Sequence, residues 1–364
     1  MKIWIDILTP KQVNLFSVFV QRLRELGHEV IVTARHYREV EQLLQIRNID
    51  ARVIGKHGGG DLSLKLIESS KRITELAGYV AKENPGLAIS FCSPEAARVS
   101  YGLAIIHYAI CDSPHAEAVC KLSLPLSRKL FTPRAVPKVA WKRYAITSSN
   151  IVQYDALDPA VWIRAYAHRQ SPNDRWGLHW EKPIVVLRTE EEYASYLLRS
   201  ETRGKNIIGQ LARRLSKLGV EVVVLPRYEK QAEMLRRELS DLATVPAKVV
   251  DAIGLLSRTS AFVGAGGTMS AEAALMGVPT ISCYPSEPTY VDRYLFKLGL
   301  AERILSADRI VSRVRRFIAD PKLANRQKEK AGKLLAKMED PVDVVMAHLG
   351  LLRRPRRTAR STSL

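Results

Sequence analysis

Twice along this chain, short apolar runs bounded by turn residues alternate with segments of helical period, and few folds accept that alternation. It is the pattern of βαβ units, because parallel strands cannot be joined by a tight turn and need a crossover helix. The first series has candidate strands at 2–7, 29–33, 51–54, 87–91, 105–110, 129–132 and 144–147. In the first unit Val13, Phe16, Phe19, Val20 and Leu23 recur at helical spacing until Gly27. A polar, irregular stretch from about 153 to 180, including Ser171, Pro172, Asn173 and Asp174, interrupts the pattern. It restarts with candidate strands at 184–187, 220–225, 248–250, 261–263 and 279–283. The expectation is an α/β protein with two doubly wound, Rossmann-like domains: residues 1–165, a connection over 166–182, and residues 183–350. The length of 364 residues agrees, since single cores rarely grow that large. An Arg/Ser/Thr-rich tail, 351–364, lacks the apolar periodicity needed to dock and is expected to be disordered.

No apolar run reaches the roughly 18 residues needed to span a bilayer, and residues 2–7 read as a strand without a signal-peptide pattern. The expected location is the cytoplasm. Cys92, Cys111, Cys120 and Cys283 show no metal-site spacing and read as reduced, mostly buried thiols; no metal and no cofactor are expected. The formal charge of +19, from 56 Lys+Arg against 37 Asp+Glu, favours an anionic partner. Five of the arginines, Arg353, Arg354, Arg356, Arg357 and Arg360, lie in the tail. Without a zinc finger or RRM signature, nucleic acid is not expected as the main partner. Anionic headgroups at the inner face of a membrane, or a lipid-linked, phosphorylated acceptor, suit the charge as well.

Four Ser/Thr-Pro pairs end strands of the first half: Thr9-Pro10, Ser93-Pro94, Ser113-Pro114 and Thr132-Pro133. Ser or Thr favours the N-cap and Pro the first helical position, so each pair is expected to open a helix at the carboxyl edge of the sheet. That edge is where open α/β folds bind ligands. Any one pair alone reads as ordinary capping. Polar residues crowd these turns: Asp112, His115 and Glu117 around the third, Glu95 after the second. With Ser113 as cap, His115 and Glu117 fall beside the cleft, where they could do acid-base work or only complement the helix dipole. Thr9, Pro10 and Lys11 form one cleft loop, and Lys56, His57, Gly58, Gly59 and Gly60 another, with basic residues able to meet a phosphate and glycines that permit close approach or plain flexibility.

The strongest signal runs from Gly264 to Pro279. A strand, a glycine turn (Gly264, Gly266, Gly267), a Thr268 cap and an Ala-rich helix through Met269 and Ser270 follow in order, and Gly277 ends the helix. Glycines let a pyrophosphate approach the backbone donors at the helix start. Glu272, four residues past Thr268 and on its face, is placed to accept hydrogen bonds from a ribose.

Here the sequence resembles the C-terminal domain of GT-B proteins, both the non-hydrolysing UDP-N-acetylglucosamine 2-epimerases and the N-acetylglucosaminyltransferase of peptidoglycan synthesis. In that transferase a glutamate the same distance before the helix-ending Gly-x-Pro holds the ribose, which implies that role for Glu272. A more specific resemblance is to a mainly archaeal family of GT-B-like proteins of unassigned function. It rests on residues 4–12, the loop 55–60, residues 93–98 and residues 112–118, and the likeness extends over about 340 residues. The epimerases carry a catalytic glutamate in a His-x-Glu-Ala segment, and His115-Ala116-Glu117-Ala118 is similar to it. Where they use an aspartate, a second glutamate and a histidine, this sequence has Ser93-Pro94-Glu95, residues 121–128 without an acid, and Arg188-Thr189-Glu190. Only one of four acid-base groups is kept in kind, which disfavours epimerisation.

The leading expectation is therefore a metal-independent glycosyltransferase of GT-B type using a nucleotide sugar, such as a UDP-sugar. Glu117 is the candidate base, with His115 and Glu95 beside it, and Arg188 and Arg227 are candidates for the diphosphate. A sugar-nucleotide 2-epimerase and a non-catalytic sugar- or polyanion-binding scaffold are the alternatives.

Overall fold

A computed structural model describes residues 1–166, 178, 180–190 and 207–352. Seven strands form the first sheet: β1 (Lys2–Ile7), β2 (Glu29–His36), β3 (Arg52–Lys56), β4 (Leu87–Ser90), β5 (Ile106–Ile110), β6 (Lys129–Pro133) and β7 (Ile151–Tyr154). All pair in parallel, in the order β3-β2-β1-β4-β5-β6-β7. The order reverses between β1 and β4, so the crossover helices leave a crevice beyond their carboxyl ends. The second sheet contains β8 (Ile184–Arg188), β9 (Glu221–Leu225), β10 (Thr259–Gly264), β11 (Thr280–Ser282) and β12 (Ala301–Arg303), again parallel, in the order β12-β11-β10-β8-β9. Its reversal lies between β8 and β10.

The sequences of the strands explain the architecture. The central strands are buried on both faces, as in IWIDI of β1 or IVVL of β8, because helices cover both sides of a parallel sheet. The helix Pro10–Glu25 buries Val13, Phe16, Phe19, Val20 and Leu23 against the first sheet, as the spacing required. The helix Pro341–His348, although it follows the second sheet in sequence, packs Val342, Val345 and Met346 into the first core, and Arg22 anchors it through Asp340 at 2.7 Å. Among the described residues no helix is long and apolar enough to cross a membrane.

Five expectations are corrected. Residues 144–147 are not a strand: Trp141 and Tyr144, three positions apart and both fully buried, close a 3-10 helix over Lys138–Tyr144, and the strand comes later as β7. The stretch 153–180 is not wholly irregular, since Pro159–Tyr166 is a helix whose Trp162 is buried. Residues 248–250 are not a strand either: the Val249 amide donates to Gln42 Oε1 across the molecule, at 2.9 Å, instead of to a neighbouring strand. The helix expected after Ser113-Pro114 begins at Glu117 with Ala116 as its cap, and Thr132-Pro133 ends β6 without opening a helix. Ser93 does cap a helix, accepting from the Ala96 amide at 3.1 Å, while Thr9 precedes Pro10 without a side-chain cap. Residues 171–174 and the arginines of the tail lie outside the described residues.

Candidate active site

Both strand-order reversals open onto one cleft of about 990 Å³. That is the upper end of what small-molecule sites enclose. Its second-sheet side combines one local motif and two arginines with flanking residues from 225–236, 246–252 and 284–292. After β10, Gly266 and Gly267 take φ of +90° and +99°, in the region that favours glycine. A Cβ on Gly267 would stand 2.6 Å from Arg227 Nη2, so the bare backbone is what lets this guanidinium lie across the turn. Gly267, not Thr268, is the cap of the helix Thr268–Leu275, and no side chain closes the helix start. Gly266, Thr268 and Met269 also line the cleft, whereas Gly264 and Ser270 support the turn from behind, Ser270 Oγ lying 2.8 Å from where a Gly264 Cβ would be.

The two arginines are held by backbone carbonyls. Arg227 donates from Nε to Thr189 O at 3.0 Å and from Nη2 to Gly266 O at 2.8 Å. Arg188, at the end of β8, donates from Nη1 to Pro226 O at 2.9 Å. Carbonyl anchors fix a guanidinium in place without neutralising it; Arg188 also has the Glu39 carboxylate at 3.9 Å, and two cations side by side suit a diphosphate. Glu272 lies at the cleft wall, 4% exposed, with Oε1 accepting from Trp162 Nε1 at 2.8 Å. Burial pushes its carboxyl up to about 7, against the lowering effect of the Trp162 bond. One of the two carboxylate oxygens is thus already engaged within the fold.

The first-sheet side is a network of buried charge drawn from distant parts of the chain. Lys11, after β1, stands between Asp112 at 2.5 Å and Asp158 at 2.7 Å, with its ammonium 4.2 Å from the centre of the Phe91 ring. Burial alone would raise the Asp112 carboxyl; Lys11, with help from the Ser113 hydroxyl, holds it below the usual carboxylate range. Burial and the Asp112 charge push Asp158 the other way, and Tyr154 donates its hydroxyl to it. Beneath, Asp6 accepts two bonds from Arg72, 2.6 and 3.1 Å, and one each from Thr33 and Ser93, all out of solvent.

Of the expected catalytic groups, His115 and Glu95 line the cleft and Glu117 does not. Because the helix starts at Glu117, its carboxylate points to solvent, 54% exposed, and pairs with Lys121 one turn on at 2.5 Å. His115 is kept below its ordinary value by burial, partly offset by Asp112 and, from the second-sheet side, Asp292. Glu95 accepts from Ser69 Oγ at 2.9 Å and lies 3.9 Å from Arg72. Thr9, Pro10, Lys56, His57 and Gly58 also line the cleft; Gly59 and Gly60 do not. Gly58 packs against the next helix so closely that a Cβ would meet Lys65 backbone at 2.5 Å. The His57 ring accepts from the Gly59 amide at 2.9 Å, and burial followed by Arg35 and Lys65 lowers it to about 4.

Sequence reasoning gave Asp112 no role and missed Asp158. Asp158-Pro159 carries the same helix-opening signature as the Ser/Thr-Pro pairs, and could have been found by it. Pairs across the cleft were not legible at all. Arg47 meets Asp251 at 2.7 and 3.3 Å, and Tyr37 donates to Arg227 O at 3.0 Å.

The family model described as "Protein of unknown function (DUF354)" matches residues 1–350. An uncharacterised protein of Methanocaldococcus jannaschii is 30% identical over 351 residues, covering 94% of this chain and 96% of that one. Among solved structures, the UDP-GlcNAc 2-epimerase of Methanocaldococcus jannaschii in complex with UDP-GlcNAc and UDP superposes with a TM-score of 0.73 at 13% identity, over 96% of this chain and 99% of that one. A UDP-N-acetylglucosamine 2-epimerase from Listeria monocytogenes, itself assigned provisionally, gives 0.72 at 14% identity, over 98% of both chains. The glycosyltransferase VinC, in complex with dTDP, gives 0.60 at 15% identity, over 96% of this chain and 99% of that one. At such identities the likeness establishes the fold, which is GT-B-like, and the chemistry must be argued from the cleft itself.

Proposed function

The chain belongs to this family of unknown function, and from that premise we propose that its cleft transfers a glycosyl group from a nucleotide sugar to an acceptor hydroxyl, without a metal ion. The observation that carries the reading is the opposition, across one cleft, of two carbonyl-anchored arginines at a glycine turn and a carboxylate held ionised by a buried lysine. Arg188, Arg227 and the first-turn amides of Thr268–Leu275 receive the diphosphate and stabilise it as it leaves. Glu272 accepts from a ribose hydroxyl with the oxygen that Trp162 does not hold. Asp112, in place of Glu117, takes the proton of the acceptor as its oxygen attacks the anomeric carbon. Lys11 keeps that carboxylate charged and oriented. The absence of an Asp-x-Asp motif from the sequence supports transfer that does not depend on a chelated metal.

Transfer is favoured over 2-epimerisation by the state of the remaining acid-base groups. Removing and returning a proton at C2 calls for positioned groups beyond one base. Glu117 stands outside the cleft, and Glu95 is occupied by Ser69, Ser93 and the neighbouring Arg72. Incubation with UDP-, GDP-, CMP- and dTDP-sugars in deuterated water separates the readings. Transfer gives free nucleoside diphosphate in the presence of acceptor and no deuterium at C2. Deuterium at C2 without nucleotide release would establish epimerisation instead, and tight nucleotide-sugar binding with neither product would leave a binding scaffold.

A further inference from the structure

One short helix ties the two sides of the cleft together. Pro159–Tyr166 follows β7, and Pro159 at its first position sets where it begins. Asp158, the residue before it, holds Lys11 at 2.7 Å, and Lys11 in turn holds the Asp112 carboxylate. Trp162 lies four positions on, one turn away on the same face, and donates from Nε1 to Glu272 Oε1 at 2.8 Å. The acceptor base and the ribose carboxylate are thus anchored to a single element, their anchors separated by about 6 Å along its axis.

The helix is itself fixed to both halves of the molecule. Arg164 donates to the carbonyls of Leu335 at 2.5 Å and Met338 at 2.6 Å, at the end of the helix Pro321–Lys337. Tyr166 donates its hydroxyl to Ser17 Oγ at 2.7 Å, and the Arg47 guanidinium lies 4.0 Å from the centre of its ring. Arg47 is the side chain that meets Asp251 from the opposite half. Trp162 is fully buried and does not line the cleft, so it can influence a ligand only through Glu272. The bond between them is costly to break, because neither buried group has water to turn to.

We infer that Trp162 is a positioning residue: by fixing one oxygen of Glu272 it leaves the other to hold a single ribose hydroxyl, which sets the anomeric carbon at one distance from Asp112. The inference rests on the glycosyl-transfer reading in naming the reacting atoms; the hold on the ribose is a property of binding. Trp162→Phe keeps a ring in the core and removes the N–H. Nucleoside diphosphate affinity should then stay within about threefold while kcat falls about ten- to a hundredfold, since the donor is bound but no longer held for attack. In a Glu272→Ala background the same substitution should change kcat less than about twofold. Trp141→Phe controls for lost packing: this indole is equally buried, its Nε1 has no hydrogen-bond partner among the described residues, and its loss should leave both parameters within about twofold.

Calorimetry with UDP, GDP and CDP and their 2′-deoxy and 3′-deoxy forms tests the hold on the ribose without turnover. In the wild type, loss of one hydroxyl should weaken binding about tenfold and loss of the other less than about twofold. In Trp162→Phe the released carboxylate can turn to either hydroxyl, and the two losses should come within about twofold of each other. Equal losses in the wild type, the same inequality in both proteins, or kcat and affinity falling together in Trp162→Phe would overturn the inference. If the two losses converge as expected and no nucleotide sugar reacts, the transfer reading fails and the hold of Trp162 on the ribose stands. If transfer proceeds and the inequality persists, this inference fails alone, and a chain that binds none of the nucleotides would overturn both.

Discussion

The two lips of the cleft are built on opposite principles. The second-sheet lip is local: its turn, helix start and carboxylate fall within residues 264–277, and its cations are fixed by backbone carbonyls. The first-sheet lip is assembled from afar: Asp6, Lys11, Arg72, Asp112 and Asp158 reach it from five separate elements and neutralise one another out of water. A local motif can hold a constant ligand part, such as a nucleotide, with little dependence on the rest of the fold. A network of buried charges fixes carboxylates in stated protonation states, which is what acid-base chemistry needs, but it ties that chemistry to the integrity of the whole sheet.

If this contrast is right, the largest effect should come from the first lip. Arg72→Met leaves Asp6 buried and unpaired and should lower the free energy of unfolding by about 3 to 5 kcal/mol, readable by urea denaturation. A loss under 1 kcal/mol would mean that water reaches Asp6. Asp112→Asn should reduce turnover by about 10² to 10⁴-fold while nucleoside diphosphate affinity holds within a few-fold. An equal loss of binding would erase the division of labour between the lips. On the second lip, Gly267→Ala forces a side chain into φ of +99° against Arg227 and should weaken nucleotide binding by about ten- to a hundredfold, measured by calorimetry. Unchanged affinity would show that the turn is only a connector.

A smaller effect separates the lips by pH. Glu272, raised to about 7 in the folded chain, binds a proton there that the unfolded chain has released, so its contribution to stability is full below about pH 4.5 and declines as pH rises to 7. His57, lowered to about 4, has the opposite sign: its contribution is present above its ordinary value of 6.5 and is lost as pH falls toward 4. Between pH 5 and 6.5, Glu272→Gln should therefore make stability rise more steeply with pH, and His57→Gln should make it rise less. Parallel curves for wild type and both variants would refute these assignments. The smallest effect belongs to Glu117→Gln, which should change turnover less than twofold and leave the urea denaturation curve unmoved, since its partner is a solvent-exposed Lys121. A large loss of turnover would return the role of base to Glu117.

The amino-acid sequence alone determined the class of fold and the second lip. Alternating periodicity is a property of neighbours in the chain, and so are a glycine turn and a helix stop, because each is decided by backbone conformations a few residues long. That is why Lys2–Ile7, Ile184–Arg188 and the segment from Gly264 to Gly277 were legible to within a residue or two. The helix after β5, expected to open at Ser113-Pro114, begins at Glu117, and this local difference is what turns the Glu117 side chain to solvent. Only the tertiary structure decided which carboxylates keep their charge. Asp112, Asp158 and Glu272 are ordinary acids in the sequence, and what distinguishes them is Lys11, Tyr154 and Trp162, more than a hundred positions away for Asp112 and Glu272. Burial and Coulomb interaction depend on distance in space, not along the chain, so the charge states of Asp112 and Asp158 come into being only when the first sheet is assembled, and the pairing of Arg47 with Asp251 only when the two sheets meet.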